Sequence, residues 1–480
     1  MSTTPYANFI GGQWLQGVRA RPNINPSDLA DTIGHYAEGD AAQTTLAIDA
    51  AAAAAPLWAA TTPQVKADAL ERIGAEILAR RDELGTLLAR EEGKTLPEAV
   101  GEVVRAGNIF RYFAGEALRA WGECIPSVRD GVGVEVTREP LGVVGLIAPW
   151  NFPIAIPAWK IAPALAWGNT VVFKPSELVP GCAWALAEII SRAGLPTGTF
   201  NLVNGLGNEV GATLVADPRV TGISFTGSVA TGNAVLRGAT ERGAKVQAEM
   251  GGKNPLVILD DADLEVALNV AIQGSYHSTG QRCTASSRII VTPGIRQRFT
   301  EALVTRLKAL RVGHALAPDT QIGPVVDRRQ LDKNLAYIAI GRLEGATLAC
   351  GGEIQRRDTE GHFLAPALFL DAEPGMRIAR EEIFGPVACV LAARDYEHAL
   401  AMANDTQFGL SAGLCTTSLK HATHFKHQVQ AGMVMVNVPT AGVDYHVPFG
   451  GRKGSSHGPR EQGRHAAEFY TTLKTTYIAA

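Results

Sequence analysis

The sequence has few of the features that define several classes of protein. Its 480 residues include only six cysteines, which are scattered singly and form no Cys-x-x-Cys pair and no Cys/His ligand spacing. This pattern argues against a disulfide framework and a metal site, and it favours a reducing compartment, so we predict a cytoplasmic protein. The net charge is −3 and no basic run is present, so nucleic acid is not an expected partner.

Signals for secretion and for a membrane span are also missing. Residues 1–7 contain no basic region followed by an apolar core, which a secretory signal requires. Residues 141–159 carry no charge and have about the length of a bilayer span, but they include prolines at 149, 153 and 157. A strand, a turn and the start of a helix explain this stretch better, so we expect no membrane partner.

The composition, with 46% hydrophobic and 19% charged residues, is that of a globular protein with two or three domains. After a short hairpin around Phe9–Trp14, the first 120 residues are predicted to be mostly helical. Short apolar strands then alternate with helices of about ten residues, which predicts a doubly wound parallel sheet. The predicted strands of this sheet are 143–147, 170–173, 200–203 and 222–225.

A second α/β region begins after Lys253. Its predicted strands are 255–259, 288–291, 388–391 and 434–438, and a terminal strand is predicted over 467–480. Ligands of doubly wound sheets bind at the carboxyl ends of the strands. Asn151, Lys174 and Gly227 follow predicted strands of the first sheet and are therefore candidates for a ligand site.

The segment Gly280–Thr284 places Cys283 between Arg282 and a threonine. A nucleophilic cysteine reacts as the thiolate, and a neighbouring cation lowers the thiol pKa toward that form. On these residues alone, a buried structural cysteine is the better interpretation. Glu249 could serve as a general base and Asn151 as an oxyanion donor, although a surface glutamate and a turn asparagine are the simpler alternatives.

A strand-to-helix junction at 225–232 contains Gly227 and Ser228, and backbone N–H groups at a helix start bind phosphate. Lys174 and Glu177 could hold the hydroxyl groups of a ribose, or could form a solvated charge pair. The glycines from Gly205 to Gly211 have the spacing GxGxxxG, which differs from the GxGxxG of dinucleotide sites and is a weak signal.

Seven segments, taken together, resemble the aldehyde dehydrogenase superfamily over nearly the whole chain. They are PWNFP at 149–153, FKPSE at 173–177, FTGS at 225–228, EMGGKNP at 249–255, GQRC at 280–283, EEIFGP at 381–386 and PFGGRKGS at 448–455. The resemblance implies two doubly wound parallel-sheet domains and a small oligomerisation element. The implied boundaries are 1–121 with 141–251 for cofactor binding, 252–450 for catalysis, and 122–140 with 451–480 for the oligomerisation element and C-terminal strand.

The resemblance also implies roles for single residues. Cys283 would be the nucleophile, Asn151 an oxyanion donor and Glu249 the general base of an NAD(P)-dependent oxidation that passes through a thiohemiacetal and a thioester. The residues expected at the cofactor are Trp150, Lys174, Ser176, Glu177, Gly207, Gly227, Ser228, Met250, Gly251, Glu382 and Phe384. Glu177 favours NAD because it would repel a 2′-phosphate, while NADP stays possible. A homodimer or homotetramer is expected.

Arg105 and Arg282, with Trp159, are the candidate residues for binding an anionic substrate, and Arg111 lies further along the same predicted helix as Arg105. A guanidinium binds a carboxylate through two parallel hydrogen bonds. Residues 439–458 most resemble the 2-oxoglutarate semialdehyde (2,5-dioxopentanoate) dehydrogenases. They depart from the wider superfamily where a glycine usually follows the serine, since Ser456 stands there.

Several alternatives stay open at this point. The aldehyde could be succinate semialdehyde, glyceraldehyde 3-phosphate or a neutral aldehyde. A cysteine hydrolase could use Cys283 with His277, but it would leave Lys174, Glu177 and the strand-end glycines unexplained. A non-catalytic structural protein would not need Cys283, Glu249 and Asn151 together. Enzymes of the superfamily that form a CoA thioester lack a base where Glu249 stands, so hydrolysis is favoured.

Overall fold

The computed structural model describes residues 4–119 and 122–479. Residue 121, at a predicted domain boundary, therefore lies outside the described residues, as do residues 1–3 and the last residue of the predicted terminal strand. The chain begins with four strands and four helices: β1 (Asn8–Ile10), β2 (Gln13–Leu15), β3 (Arg19–Asn25), β4 (Asp28–Glu38), α1 (Ala41–Ala60), α2 (Pro63–Ala79), α3 (Arg81–Glu92) and α4 (Leu96–Ala117).

Alternating strands and helices follow, as predicted. They are β5 (Glu123–Pro126), β6 (Val132–Pro140), β7 (Val143–Ile147), α5 (Ala155–Ala166), β8 (Thr170–Lys174), α6 (Pro180–Ser191), β9 (Phe200–Leu202), α7 (Ala212–Ala216), β10 (Val220–Thr226), α8 (Val229–Glu241) and β11 (Lys245–Glu249). The first sheet has the order β11-β10-β7-β8-β9 at its centre, with all of these strands parallel. The hairpin β1–β2 extends one edge in antiparallel pairing.

The rest of the chain forms a second sheet of the same kind. Its elements are β12 (Asn254–Ile258), α9 (Leu264–Tyr276), β13 (Ser286–Val291), α10 (Pro293–Ala309), α11 (Arg328–Leu343), β14 (Thr347–Cys350), β15 (Ala367–Ala372), α12 (Arg377–Arg380), β16 (Val387–Ala392), α13 (Tyr396–Asn404), β17 (Ser411–Cys415), α14 (Leu419–Gln428) and β18 (Met433–Val436). The strand order is β14-β15-β16-β13-β12-β17-β18, and only β14 runs antiparallel to its neighbour. The predicted α/β class with two parallel sheets is confirmed.

The last 30 residues are divided between two sheets. β19 (Ser456–His457) pairs antiparallel with β11 at the edge of the first sheet, and α15 (Ala467–Tyr470) follows. The final strand β20 (Thr471–Ala479) pairs with β6, which in turn pairs with β5, in a separate antiparallel sheet. The predicted terminal strand therefore begins at Thr471 instead of 467, because residues 467–470 are helical.

The elements that are clearest in the sequence are apolar runs, and the structure shows that they are buried. All five residues of β8 are buried, and the apolar run of β7 is buried up to its last residue. Helix α5, which follows β7, has twelve residues and all of them are buried. Within the part of the chain that the structure describes, no helix is both long enough and apolar enough to span a membrane.

Candidate active site

The carboxyl ends of β11, β10, β7 and β8 lie along one edge of the first sheet, because these strands are parallel neighbours. A groove of about 520 Å³ opens at this edge. Seven of the residues predicted at the cofactor line it: Trp150, Lys174, Ser176, Glu177, Gly207, Gly227 and Ser228. The sequence motifs that supply these residues are far apart in the chain, and the fold brings them together.

The groove contains features that suit a phosphorylated ligand. Ser228 caps helix α8, its Oγ accepting from the Thr231 N–H at 3.3 Å, so the start of this 13-residue helix faces the groove. Gly207 would place a Cβ with no atom within 4 Å, so a side chain there would occupy free space. The buried Thr226 hydroxyl has no hydrogen-bond partner within residues 4–119 and 122–479. This arrangement fits a dinucleotide.

Lys174 and Glu177 form an ion pair in this groove, with 3.3 Å between Nζ and Oε2. Burial is the largest single influence on Glu177 and opposes its ionisation, but the Lys174 charge, the hydrogen bonds to Lys174 and to the backbone, and the Arg21 charge together outweigh it, so the pKa of Glu177 is lowered. Burial also lowers the pKa of Lys174. An ionised Glu177 accepts hydrogen bonds from the hydroxyls of a ribose and repels a phosphate in the same place.

A second pocket of about 230 Å³ continues from the groove, since both are lined by Trp150, Thr226 and Gly227. It brings together the predicted residues Asn151, Met250, Gly251, Cys283, Glu382 and Phe384. The Phe384 ring meets the Trp150 ring edge-on, with 5.3 Å between centroids. Glu382 accepts a hydrogen bond from the Gly252 N–H at 2.9 Å.

The loop before Cys283 has an unusual backbone conformation and packs closely against a neighbouring segment. Ser278, Thr279 and Gly280 have positive φ, and a Cβ at Gly280 would lie 2.2 Å from the Gly385 carbonyl oxygen, so only glycine fits there. This turn ends helix α9 and delivers Cys283 to the pocket.

The Cys283 thiol does not have the lowered pKa that a neighbouring Arg282 led us to expect, although the two groups interact electrostatically. Burial raises the pKa of Cys283 to about 12, and the carboxylates of Glu382 and Glu249 add to the effect. Arg282 Nη2 instead lies 2.9 Å from Glu98 Oε1 and 2.8 Å from Ser278 Oγ. The arginine supports the loop, and a proton must leave Cys283 before the sulfur can attack.

Asn151 is buried and fixed from two sides. Its side-chain Nδ2 donates to the Gln281 backbone carbonyl at 3.0 Å, and its backbone carbonyl accepts from Lys94 Nζ at 2.7 Å. Lys94 in turn is paired with Glu102, which accepts from the first N–H groups of the α5 segment. Because an amide carries two N–H donors and one is used, the other is left for a ligand in the Cys283 pocket.

Glu249 ends strand β11 and is buried, which corrects the interpretation as a loop residue at the surface. Burial, followed by the nearby carboxylate of Glu461, holds the pKa of Glu249 well above its usual range. The Ser456 hydroxyl opposes that effect by donating to Glu249 Oε2 at 2.5 Å. Lys160 is ion-paired with Glu461 on the same side.

Arg105 lies on helix α4 and contacts Trp159, with 5.4 Å between the guanidinium carbon and the ring centroid. Its Nη2 donates to Gln462 Oε1 at 3.1 Å. Trp159 stacks on Phe449 at 5.4 Å, and Phe449 belongs to the apolar cluster against which Cys283 packs. Sequence reasoning missed Gln462 and Phe449, although Phe449 lies in one of the seven quoted segments.

Two other predicted candidates lie away from the pocket. Arg111 is exposed and pairs with Glu71 at 2.9 Å on the surface. His277, the partner in the hydrolase alternative, has its pKa lowered by burial and lies within electrostatic reach of Glu98 and Arg282. Neither residue lines the pocket that contains Cys283, and the lining also lacks the predicted residues Arg105, Trp159, Arg282 and Glu249. Three of these, Arg105, Arg282 and Glu249, are nevertheless within electrostatic reach of Cys283.

Comparison with known proteins decides the family. The model of the aldehyde dehydrogenase family matches residues 14–476. The chain belongs to the aldehyde dehydrogenase family. As an aldehyde dehydrogenase it is an enzyme that oxidises an aldehyde.

This aldehyde dehydrogenase has similar relatives and structures along its full length. It is 43% identical over 98% of both chains to the alpha-ketoglutaric semialdehyde dehydrogenase of Bacillus subtilis (strain 168). It is 42% identical to the betaine aldehyde dehydrogenase of Cereibacter sphaeroides (strain ATCC 17029 / ATH 2.4.9), covering 98% of this chain and 97% of the other. The crystal structure of Staphylococcus aureus betaine aldehyde dehydrogenase in complex with NAD+ superimposes with a TM-score of 0.97 at 34% identity, covering 99% and 95%.

Proposed function

We propose that this aldehyde dehydrogenase oxidises 2,5-dioxopentanoate, the semialdehyde of 2-oxoglutarate, to 2-oxoglutarate, with NAD as the preferred cofactor. One observation carries the choice of substrate: three neighbouring buried N–H donors have no hydrogen-bond partner among the described residues, and one of them belongs to Arg105, which is within electrostatic reach of Cys283. They are Arg105 Nε, Trp159 Nε1 and Gln462 Nε2, which we call the donor cluster. The relation to the Bacillus subtilis enzyme supports the same choice.

The donor cluster is suited to a carboxylate because it offers donors and a positive charge but few acceptors. A buried donor without a partner costs about 1–3 kcal/mol, so the cluster gains most from a ligand that accepts several hydrogen bonds. Among the described residues, no carboxylate forms an ion pair with Arg105, and Glu102 and Asp444 act on its charge only through longer-range electrostatic interactions. Phe449 connects the cluster to Cys283, so a short substrate could present its carboxylate to Arg105 and its aldehyde to the thiol.

The chemistry at the aldehyde follows from the residues of the second pocket. Cys283 gives up its proton and its sulfur bonds to the aldehyde carbon, while the Asn151 amide and the Cys283 backbone N–H hold the resulting oxyanion. A nicotinamide, when bound, supplies the acceptor for the hydride that leaves this carbon. Glu249 then takes a proton from water, which hydrolyses the thioester on Cys283 and frees the acid.

The groove provides sites for the parts of NAD. Lys174 and Glu177 would hold the adenosine ribose, Gly227 and Ser228 would face the pyrophosphate, and Glu382 with Phe384 would position the nicotinamide side. Ser176 lies in the same groove and could donate to a 2′-phosphate, so NADP is the second cofactor to test.

We further propose that the protein forms a homodimer or homotetramer through the β5–β6–β20 sheet. This sheet exposes large apolar side chains, which a second copy could cover: Ile125, Leu473, Tyr477 and Ile478.

Betaine aldehyde, the substrate named for other relatives, fits this site less well. It carries a permanent positive charge, and Arg105 already lies over the face of Trp159 where such a cation would bind an aromatic ring. Two cations in that place would repel each other.

An aldehyde panel tests the proposed function. We expect kcat/KM for 2,5-dioxopentanoate to exceed that for pentanal and betaine aldehyde by about a hundredfold or more, the range of one or two charge-assisted hydrogen bonds. The assay follows absorbance at 340 nm with NAD and, separately, with NADP. A preference for pentanal would refute the anionic substrate, and an equal rate with succinate semialdehyde would reduce the proposal to short acidic aldehydes.

A further inference from the structure

We propose that Ser456 is a positioning residue for thioester hydrolysis: its hydroxyl holds one oxygen of Glu249 and leaves the other oxygen to activate water. This inference rests on the proposed function, in which Glu249 is the base. It gives a role to the position at which the sequence departs from the wider superfamily.

The backbone sets this contact. Strands β11 and β19 pair antiparallel, and Glu249 lies directly opposite Ser456 in the register. Residues opposite each other in such a pair point to the same face of the sheet, so their side chains meet. The Ser456 Oγ lies 2.5 Å from Glu249 Oε2.

A second hydrogen bond occupies one acceptor position of the serine oxygen. The Gly451 N–H donates to Ser456 Oγ at 2.6 Å. A backbone N–H can only donate, so the serine oxygen accepts in that bond and its own proton remains to be donated to Glu249 when that carboxyl group is ionised. The hydroxyl is thus arranged to donate to an ionised carboxylate.

The other carboxylate oxygen is left without a partner. Glu249 Oε1 is buried and accepts no hydrogen bond from any residue that the structure describes. Gly450 makes room for it, since a Cβ at that position would lie 2.7 Å from Oε1. A buried acceptor of this kind is suited to take a proton from a water molecule that enters the site.

The charges around Glu249 act in both directions. Glu461 disfavours its ionised form, whereas Arg460 and Lys160 favour it. Cys283 is also within electrostatic reach of Glu249. The Ser456 hydrogen bond adds to the effect of the two cations, so its removal favours the protonated form and raises the pKa of Glu249 further.

The test is the hydrolysis of an acetyl group on Cys283. The protein is acetylated with a substoichiometric amount of p-nitrophenyl acetate, without cofactor, and samples are quenched in acid over time at several pH values. Intact mass gives the fraction still acetylated. For Ser456→Ala we expect the pH at which the hydrolysis rate reaches half of its high-pH value to rise by about one unit. Near neutral pH the hydrolysis should be about tenfold slower than in the wild type, and at high pH the two rates should become equal.

Two further variants separate positioning from general damage. Ser456→Thr keeps the hydroxyl on an extended backbone and should restore the wild-type profile. Ser455→Ala is the matched control, because Ser455 Oγ bonds only the backbone of Gly251 and Gly409. It should lower the thermal midpoint and leave the half-point of the pH profile unchanged.

The outcomes distinguish this inference from the proposed function. An unchanged pH profile in Ser456→Ala, or an equal slowing at every pH, overturns the positioning role alone. If Cys283→Ala is acetylated as fully as the wild type, the nucleophile is assigned wrongly, and the proposed function fails together with the inference.

Discussion

The two arginines nearest to the chemistry lie in very different surroundings. Arg282 directly precedes the nucleophile in sequence, yet its charge is neutralised by Glu98, 2.9 Å away. Arg105 stands 178 positions before the nucleophile, and the only side-chain hydrogen bond described for its guanidinium goes to the neutral Gln462. One charge is satisfied within the protein and the other is available to a ligand.

This difference separates a structural charge from a binding charge. Burying a charge beside its partner stabilises a loop, whereas burying one without a partner costs free energy that a ligand can recover. The comparison predicts that changes at Arg105 alter the choice of substrate, and that changes at Arg282 alter stability.

Arg105→Leu is expected to have the largest effect. Loss of the guanidinium removes the charge-assisted hydrogen bonds to the substrate carboxylate, so kcat/KM for 2,5-dioxopentanoate should fall about a hundredfold, which is about 3 kcal/mol. The value for pentanal should change by no more than about threefold, since that aldehyde has no carboxylate to lose.

Arg111→Leu is the matched control, because Arg111 lies on the same helix but is paired with Glu71 at the surface. It should change neither value of kcat/KM. An equal loss for both aldehydes in Arg105→Leu would show that Arg105 supports the pocket without contacting the substrate.

Arg282→Met tests the other half of the comparison. It leaves the mostly buried carboxylate of Glu98 without its ion-pair partner, and we expect the free energy of unfolding to fall by about 2 kcal/mol. Urea denaturation measures this loss. The ratio of kcat/KM between 2,5-dioxopentanoate and pentanal should stay within about twofold of the wild type, and a large fall in that ratio would return Arg282 to the substrate site.

The sequence predicts those parts of the molecule whose signals are local. Strand β7 was predicted with its observed bounds because an apolar run sits between Gly142, which has positive φ, and Pro149. The α/β class, the parallel sheets and the family, all of which are confirmed, could be predicted because their signals are also short local segments. Asn151, Lys174 and Cys283 could be named because each stands in a short motif at or near the end of a regular element.

Strand β11 shows what a single sequence does not reveal. Its residues Lys245–Glu249 include two polar side chains, Gln247 and Glu249, that resemble surface residues but are buried. They are tolerated there because Ser224 donates to Gln247 and Ser456 to Glu249, and these partners lie 23 and 207 positions away. Gln462 beside Arg105, 357 positions apart, was missed for the same reason.

Glu177 is intermediate between Arg282, whose charge is paired within the protein, and Arg105, whose charge is available to a ligand. Its substitution should have the smallest effect of those considered. Its charge is paired with Lys174, but 36% of its side chain is exposed to the groove. In Glu177→Gln the repulsion of a 2′-phosphate disappears while the amide oxygen still accepts a hydrogen bond. We expect the ratio of kcat/KM for NADP to that for NAD to rise about five- to tenfold, roughly 1 kcal/mol, and to rise less at high salt because the pair is partly screened.

Glu209→Gln provides the control for that ratio, since Glu209 follows Gly207 in the same turn but is paired with Arg19 at the surface. It should leave the cofactor ratio unchanged. If Glu177→Gln also leaves it unchanged, then Glu177 does not face the ribose and its charge is structural, like that of Glu98. If the ratio of kcat/KM for NADP to that for NAD rises only at low salt, the carboxylate selects NAD by long-range electrostatic repulsion of the 2′-phosphate. A direct hydrogen bond to the ribose would then not be the cause of the selection.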